Sequence, residues 1–241
     1  MLTLQRTDDT YIVYQDERRI SSLCLYDNPH HMRNCYVKLE VDELNTEISA
    51  ELFQELRKIA GRPLQVMVDS DDSELIAFLL SGGFTCRRKC YEVEAGLEDY
   101  IGGQANVLLE PFHIGEADYE QACRMLFEHY TETHKAVNPW TADYETFCGK
   151  LPEEVVCYKQ GGEIVSLAFV EGNEIAYVCG ADEECFAEFA RSLVCAMLNK
   201  YETLCFESDD CDRAAMSLRS LFQNQEEISY DTYVYDNGGK Q

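Results

Sequence analysis

Basic residues are scarce: 20 Lys and Arg stand against 45 Asp and Glu in 241 residues, a formal charge of −25. Holding a phosphate backbone takes a Lys/Arg surface that displaces counterions. The one basic cluster, Arg87-Arg88-Lys89, is short enough to be a solvated strand or turn, so no nucleic-acid partner is expected. Long apolar runs are missing as well. Stretches such as Leu75 to Leu80 fall far short of the ~20 residues a helix needs to cross a bilayer, and no membrane partner is expected. There is no CxxC pair and no N-x-Ser/Thr sequon, and Met1 to Asp9 lack the apolar stretch of a signal peptide. The twelve cysteines are spread from Cys24 to Cys211 in a chain long enough to need no staples. They read as reduced thiols of a cytoplasmic protein. The tightest spacing, Cys86 to Cys90, has no histidine close in sequence, so no metal site is expected. A Gly-x-Ser-x-Gly elbow, a Walker loop and a dinucleotide fingerprint are also absent, which leaves hydrolase, nucleotidase and dehydrogenase chemistry without residues to carry it.

What is present is an ordinary globular composition, 46% apolar and 27% charged, in a length that suits one large domain or two small ones. The acidity is uneven. Residues 1–100 carry 11 basic and 19 acidic side chains, and residues 101–241 carry 9 and 26. Strand patterns rich in β-branched and aromatic residues run over 11–14, 20–26 and 35–41. Ile48, Leu52, Leu56 and Ile59 at helical spacing predict a helix over 47–60, with Thr46 as cap and Gly61-Arg62-Pro63 as stop. A short strand over 64–68, a helix from Ser73 to Gly82-Gly83 and a strand over 84–93 follow. Residues 98–106 read as a linker and 107–111 as a strand. Helices over 118–136 and 142–150 come next. The earlier order then returns: strands 155–158, 164–170 and 175–179, helix 183–198, strand 203–206, helix 212–222, strand 228–235.

The recurrence is visible in letters too. Tyr14, Ile20, Ser22 and Leu23 lie in register over Tyr158, Ile164, Ser166 and Leu167, and Asp69-Ser70-Asp71-Asp72 matches Glu207-Ser208-Asp209-Asp210. The same element order around both pairs predicts an internal duplication.

A meander, a helix, a buried strand, a helix ending in Gly-Phe and a further strand is the order of the GNAT N-acetyltransferase superfamily. The stretch Leu75-Ile76-Ala77-Phe78-Leu79-Leu80-Ser81-Gly82-Gly83-Phe84 resembles that family's penultimate helix, and Asp212-Arg213-Ala214-Ala215-Met216-Ser217-Leu218 resembles its Asn-x-x-Ala-x-x-Leu. The resemblance covers nearly the whole chain and implies an α/β (α+β) fold: two tandem GNAT-like halves, each a mixed, mostly antiparallel sheet flanked by helices. The expected division is residues 1–97, lacking the first two helices, a linker over 98–106, and residues 107–241.

The resemblance also implies acetyl-CoA or another acyl-CoA as co-substrate, its pantetheine arm paired to the fourth strand. That places Tyr177, Val178, Cys179 and Gly180 as cofactor-binding residues of the second half. The family holds the pyrophosphate on a Gln/Arg-x-x-Gly-x-Gly/Ala loop at a helix N-terminus. Here the corresponding stretches are Val41-Asp42-Glu43-Leu44-Asn45-Thr46 and Cys179-Gly180-Ala181-Asp182-Glu183-Glu184, whose carboxylates repel a pyrophosphate. The family's Tyr, which protonates the departing thiolate, is matched by Leu79 and Arg219, and Arg219 is the candidate partner for phosphate or thiolate. Glu174 is the candidate catalytic base, taking the proton from an ammonium substrate directly or through water. Glu132, His134 and Trp140 are expected to line the acceptor site. His129 and His134, five apart, do not have the spacing of a His-Glu-x-x-His zinc site. The function implied is an N-acyltransferase that moves an acyl group from coenzyme A to a primary amine of a small or peptide acceptor, cationic to suit the acidic surface. The other reading from the same residues is a degenerate, non-catalytic GNAT-fold binding or interaction module.

Overall fold

The computed structural model describes residues 2–8, 10–41 and 45–236. In chain order the elements are β1 (Leu2–Thr7), β2 (Thr10–Gln15), β3 (Arg18–Tyr26), β4 (Cys35–Val41), α1 (Thr46–Ala60), β5 (Leu64–Asp69), α2 (Ser73–Ser81) and β6 (Thr85–Gly96). They continue as β7 (Glu110–His113), α3 (Tyr119–His134), α4 (Tyr144–Cys148), β8 (Glu154–Gln160), β9 (Glu163–Glu171), β10 (Glu174–Gly180), α5 (Glu183–Leu198), β11 (Thr203–Asp209), α6 (Arg213–Arg219) and β12 (Tyr230–Tyr235). The duplication is now explicit. The run β1 to β6 has the same order as β7 to β12, except that α3 and α4 stand where the first run has a hairpin between β1 and β2. β1 is an addition to the sequence reading. Its Leu2-Thr3-Leu4-Gln5 alternation is a half-buried edge strand, paired to β2 from Leu2 opposite Gln15 to Thr7 opposite Thr10. Among the described residues, no helix is long and apolar enough to cross a membrane.

Two compact units result, but not by cutting the chain once. The first is residues 1–89, 135–142 and 228–241, and the second is 90–134 and 143–227. This corrects the expected boundaries at 97 and 107, for three physical reasons. The closing strands are exchanged: β12 pairs antiparallel with β5, Tyr230 opposite Asp69 through Tyr235 opposite Leu64, whereas β6 pairs with β11, Cys90 opposite Asp209 through Gly96 opposite Thr203. The expected linker is packed: Ile101 N–H donates to Leu221 O, and the Tyr100 ring sits 5.8 Å from that of Phe222. Residues 135–142 belong to the first unit, where Asn34 donates to Val137 O and Thr141 N–H to His30 O.

In the first unit the strand order is β1-β2-β3-β4-β5-β12-β6. Asn45 caps α1 by accepting from Glu47 N–H, and Gly61, at φ 70°, ends it. The apolar face of α1, with Leu52, Phe53 and Leu56, packs with Leu79, Phe78 and Phe84 around the sheet residues Leu64 and Val66. In the second unit the order is β6-β11-β10-β9-β8-β7. Phe186, Phe189, Leu193 and Val194 of α5 bury against Leu204 and Phe206 of β11, Ile175 and Val178 of β10, and Leu218 of α6. Each such side chain contributes about 1.5–3 kcal/mol on full burial.

Candidate functional site

The site begins with two strands that separate. β10 and β11 run parallel and share one register pair, Glu174 opposite Cys205. Beyond it β10 stays paired only with β9. A bulge between Ile175 and Tyr177 gives β10 one extra residue, which bends the strand and resets its faces. Ile175 and Val178 therefore both reach the α5 core, while Tyr177 and Cys179 take the opposite face. Ala181 N–H donates to Val165 O, and the antiparallel alternation carries the hydrogen bonds of Cys179 and Tyr177 toward β9 as well. The backbone groups of Val178 and Gly180 are left on the side where β11 has parted. The first unit repeats this plan: β4 and β5 pair at Cys35 with Leu64 and at Tyr36 with Gln65 only. Its own loop residues Asp42, Glu43 and Leu44, named as the counterpart of the pyrophosphate loop, lie outside the described residues.

At the open end of the β10–β11 gap in the second unit is a cleft of about 840 Å³. Its lining comes from α3 (His129, Glu132, Thr133), from the end of β10 and start of α5 (Gly180 to Glu183, Phe186) and from Cys211, Arg213, Ala214, Met216 and Ser217 around the start of α6. Asp182 caps α5: its Oδ1 accepts from Cys185 N–H at 2.8 Å, and that bond holds its carboxyl below the usual carboxylate range. Arg213 Nη1 lies 3.0 Å from Glu183 Oε1. Gly180 is a packing glycine, because a Cβ there would meet Phe186 Cβ at 2.8 Å.

A second depression of the same unit, about 600 Å³, lies where β6, β11 and the start of β10 meet, and Glu92, Glu94, Glu174, Glu207 and Glu226 face it. Tyr177 is close by. Its phenol is pushed above the ordinary tyrosine value by burial, and then by Glu207 and Glu174, so it stays neutral and able to donate.

The remaining candidates are placed as follows. Glu174 is exposed at the head of β10 and faces the acidic depression. Cys179 is buried, which pushes its thiol upward and leaves it a core group with no nucleophilic thiolate. Glu132 lines the large cleft. His134 is buried, with Nε2 3.0 Å from Asp209 Oδ2 and its ring stacked 3.9 Å from Tyr130, and it is not among the residues that line the large cleft. Trp140 belongs to the first unit, where it stacks on His30 at 4.9 Å. Arg219 stands at the far end of α6 from the cleft, its guanidinium 4.0 Å from the centre of the Tyr91 ring and Nη2 donating to Glu226 O. The arginine that reaches the cleft is Arg213, the first residue of α6 after its cap Asp212.

Sequence reasoning missed the pairing of α3 with the β11–α6 connection. His129 Nε2 lies 2.8 Å from Asp212 Oδ2, while Asp212 Oδ1 caps α6 by accepting from Ala214 and Ala215 N–H. The two histidines five apart are thus each matched to a carboxylate: His134 to Asp209, inside the charge-rich segment that marked the repeat, and His129 to Asp212, two residues beyond it.

No family model and no curated protein matches this sequence. Solved structures do match. A GCN5-related N-acetyltransferase from Sphaerobacter thermophilus superposes with a TM-score of 0.56 at 10% identity, over 94% of this chain and 80% of that one. A GCN5-related N-acetyltransferase from Kribbella flavida gives 0.50 at 12%, over 99% and 90%. A GNAT-family acetyltransferase from Colwellia psychrerythraea gives 0.50 at 8%, over 94% and 85%. The chain has the GNAT fold.

Proposed function

We propose that the second unit is an N-acyltransferase, which takes an acyl group from a thioester on a pantetheine arm and passes it to a primary amine. The observation that carries this reading is the parting of β10 from β11 after Glu174 and Cys205. It leaves the backbone of Val178 and Gly180 as a strand edge with which an extended amide-bearing arm can pair as a further strand. The fit to coenzyme A divides at its middle. The arm suits this edge, but the pyrophosphate does not suit the α5 N-terminus, where the Asp182 carboxylate already takes the Cys185 N–H.

The thioester supplies an electrophilic carbonyl. The chain supplies position and proton handling. The carboxylates of Glu92, Glu94, Glu174 and Glu207 draw a cationic amine by their field. Glu174, at the closed end of the gap, takes the ammonium proton directly or through water, freeing the lone pair that attacks. The neutral Tyr177 phenol offers a hydrogen bond on the same face. An amide and a thiol result.

The test is incubation of the whole chain with acetyl-pantetheine or acetyl-CoA and a panel of polyamines and lysine-containing peptides, with mass detection of the acylated amine. Transfer is expected, and Glu174→Gln is expected to lower kcat by about 100-fold or more. No acylated product from any pairing would overturn the proposal. It would favour the binding-module reading, which the self-capped α5 supports.

A further inference from the structure

Resting on that acyl-transfer reading, we infer that the donor recognised by the second unit is a pantetheine thioester carrying no phosphate, with recognition ending at the arm. Three observations converge on this. First, the α5 start is already capped from within the chain: Asp182 Oδ1 takes the Cys185 N–H, the third amide of the helix, and places a carboxylate where an anion would sit. An anion would have to displace a covalently tethered carboxylate. Second, among the described residues the cleft is lined by Glu132, Asp182 and Glu183 against Arg213 as its one lysine or arginine. Arg213 is itself paired with Glu183. A phosphate entering here meets net negative charge, and the chain's −25 adds to the repulsion at longer range. Third, the strand edge at Val178 and Gly180 offers neutral amide donors and acceptors, which recognise the two amides of the arm without regard to charge.

Asp182 does not yield by taking a proton, because its carboxyl is held below the ordinary range and stays charged at neutral pH. The preference is therefore built in across physiological pH.

The experiment is calorimetric titration of the whole chain with pantetheine, 4′-phosphopantetheine and coenzyme A at 0.1 M salt. Pantetheine is expected to bind tightest, and affinity to fall with each phosphate added, coenzyme A being at least tenfold weaker. Raising the salt to 1 M shrinks the Debye length from roughly 10 to 3 Å and should narrow that gap. The double variant Asp182→Asn, Glu183→Gln keeps the α5 cap, since Asn caps as well as Asp, while removing two charges and releasing Arg213. It should strengthen coenzyme A binding about tenfold and leave pantetheine within about threefold. Coenzyme A binding as tightly as pantetheine to the unaltered chain would overturn the inference, as would no gain in the double variant while pantetheine still binds. If none of the three ligands binds at millimolar concentration, the inference falls together with the acyl-transfer reading, an outcome distinct from the other two.

Discussion

Asp212→Ala tests how α3 is fastened to the start of α6. Asp212 is nearly buried, accepts from Ala214 and Ala215 N–H as the α6 cap, and meets His129 Nε2 at 2.8 Å. Loss of an N-cap costs about 1 kcal/mol, and loss of a hydrogen bond to a charged group about 1.5–3 kcal/mol. The variant should therefore lose about 2.5–4 kcal/mol. For a chain of this length that corresponds to a fall in Tm of roughly 5–15 °C. The cap and the histidine bond separate in a double-mutant cycle with His129→Ala, followed by urea unfolding in circular dichroism. The expected coupling is about 1.5–3 kcal/mol, with Asp212→Asn recovering most of the cap and little of the histidine bond. A coupling below about 0.5 kcal/mol would refute the claim that this pair fastens α3 to the start of α6.

Leu79→Ala removes a fully buried side chain of the first unit and should cost about 2–5 kcal/mol in urea unfolding. Arg219→Ala should leave thioester affinity unchanged by calorimetry, because its guanidinium sits on Tyr91 away from the cleft, and should cost about 0.5–2 kcal/mol of stability. The depressed Asp182 carboxyl predicts an acid limb: the α5 cap contributes fully above the unfolded aspartate value near 3.9 and is lost as pH falls through its lower folded value. Asp182→Asn should flatten that limb in a helix-content titration by circular dichroism.

The order of elements was legible because period-3.6 and period-2 patterns are local. Ile48, Leu52 and Leu56 mark α1 whatever it packs on, and the matched Tyr14 and Tyr158 stretches mark the repeat. The strand exchange was not legible: Ile228 to Tyr235 is the same strand whether it pairs with β11 or with β5, since the choice lies in long-range pairing and leaves no trace in its alternation. The site divides the same way. Glu174 and the edge of β10 follow from strand position, so their places could be read. Arg219 was misplaced because alignment on one leucine fixes a residue's place along α6 but not which end faces the cleft. The pairing of His134 could not be read, because its partner, Asp209, is 75 residues away. The capping role of Asp182 was half visible: its negative charge, opposed to an incoming phosphate, could be read from the sequence, whereas its occupation of the Cys185 N–H could not.

The most direct test is a crystal structure of the chain with acetyl-pantetheine. The expected result is the arm lying between β10 and β11 of the second unit, its amides bonded to the backbone of Val178 and Gly180 and its acetyl group near Glu174. Density for the ligand anywhere other than this gap, or a gap closed by pairing of β10 with β11 beyond Glu174 and Cys205, would contradict it.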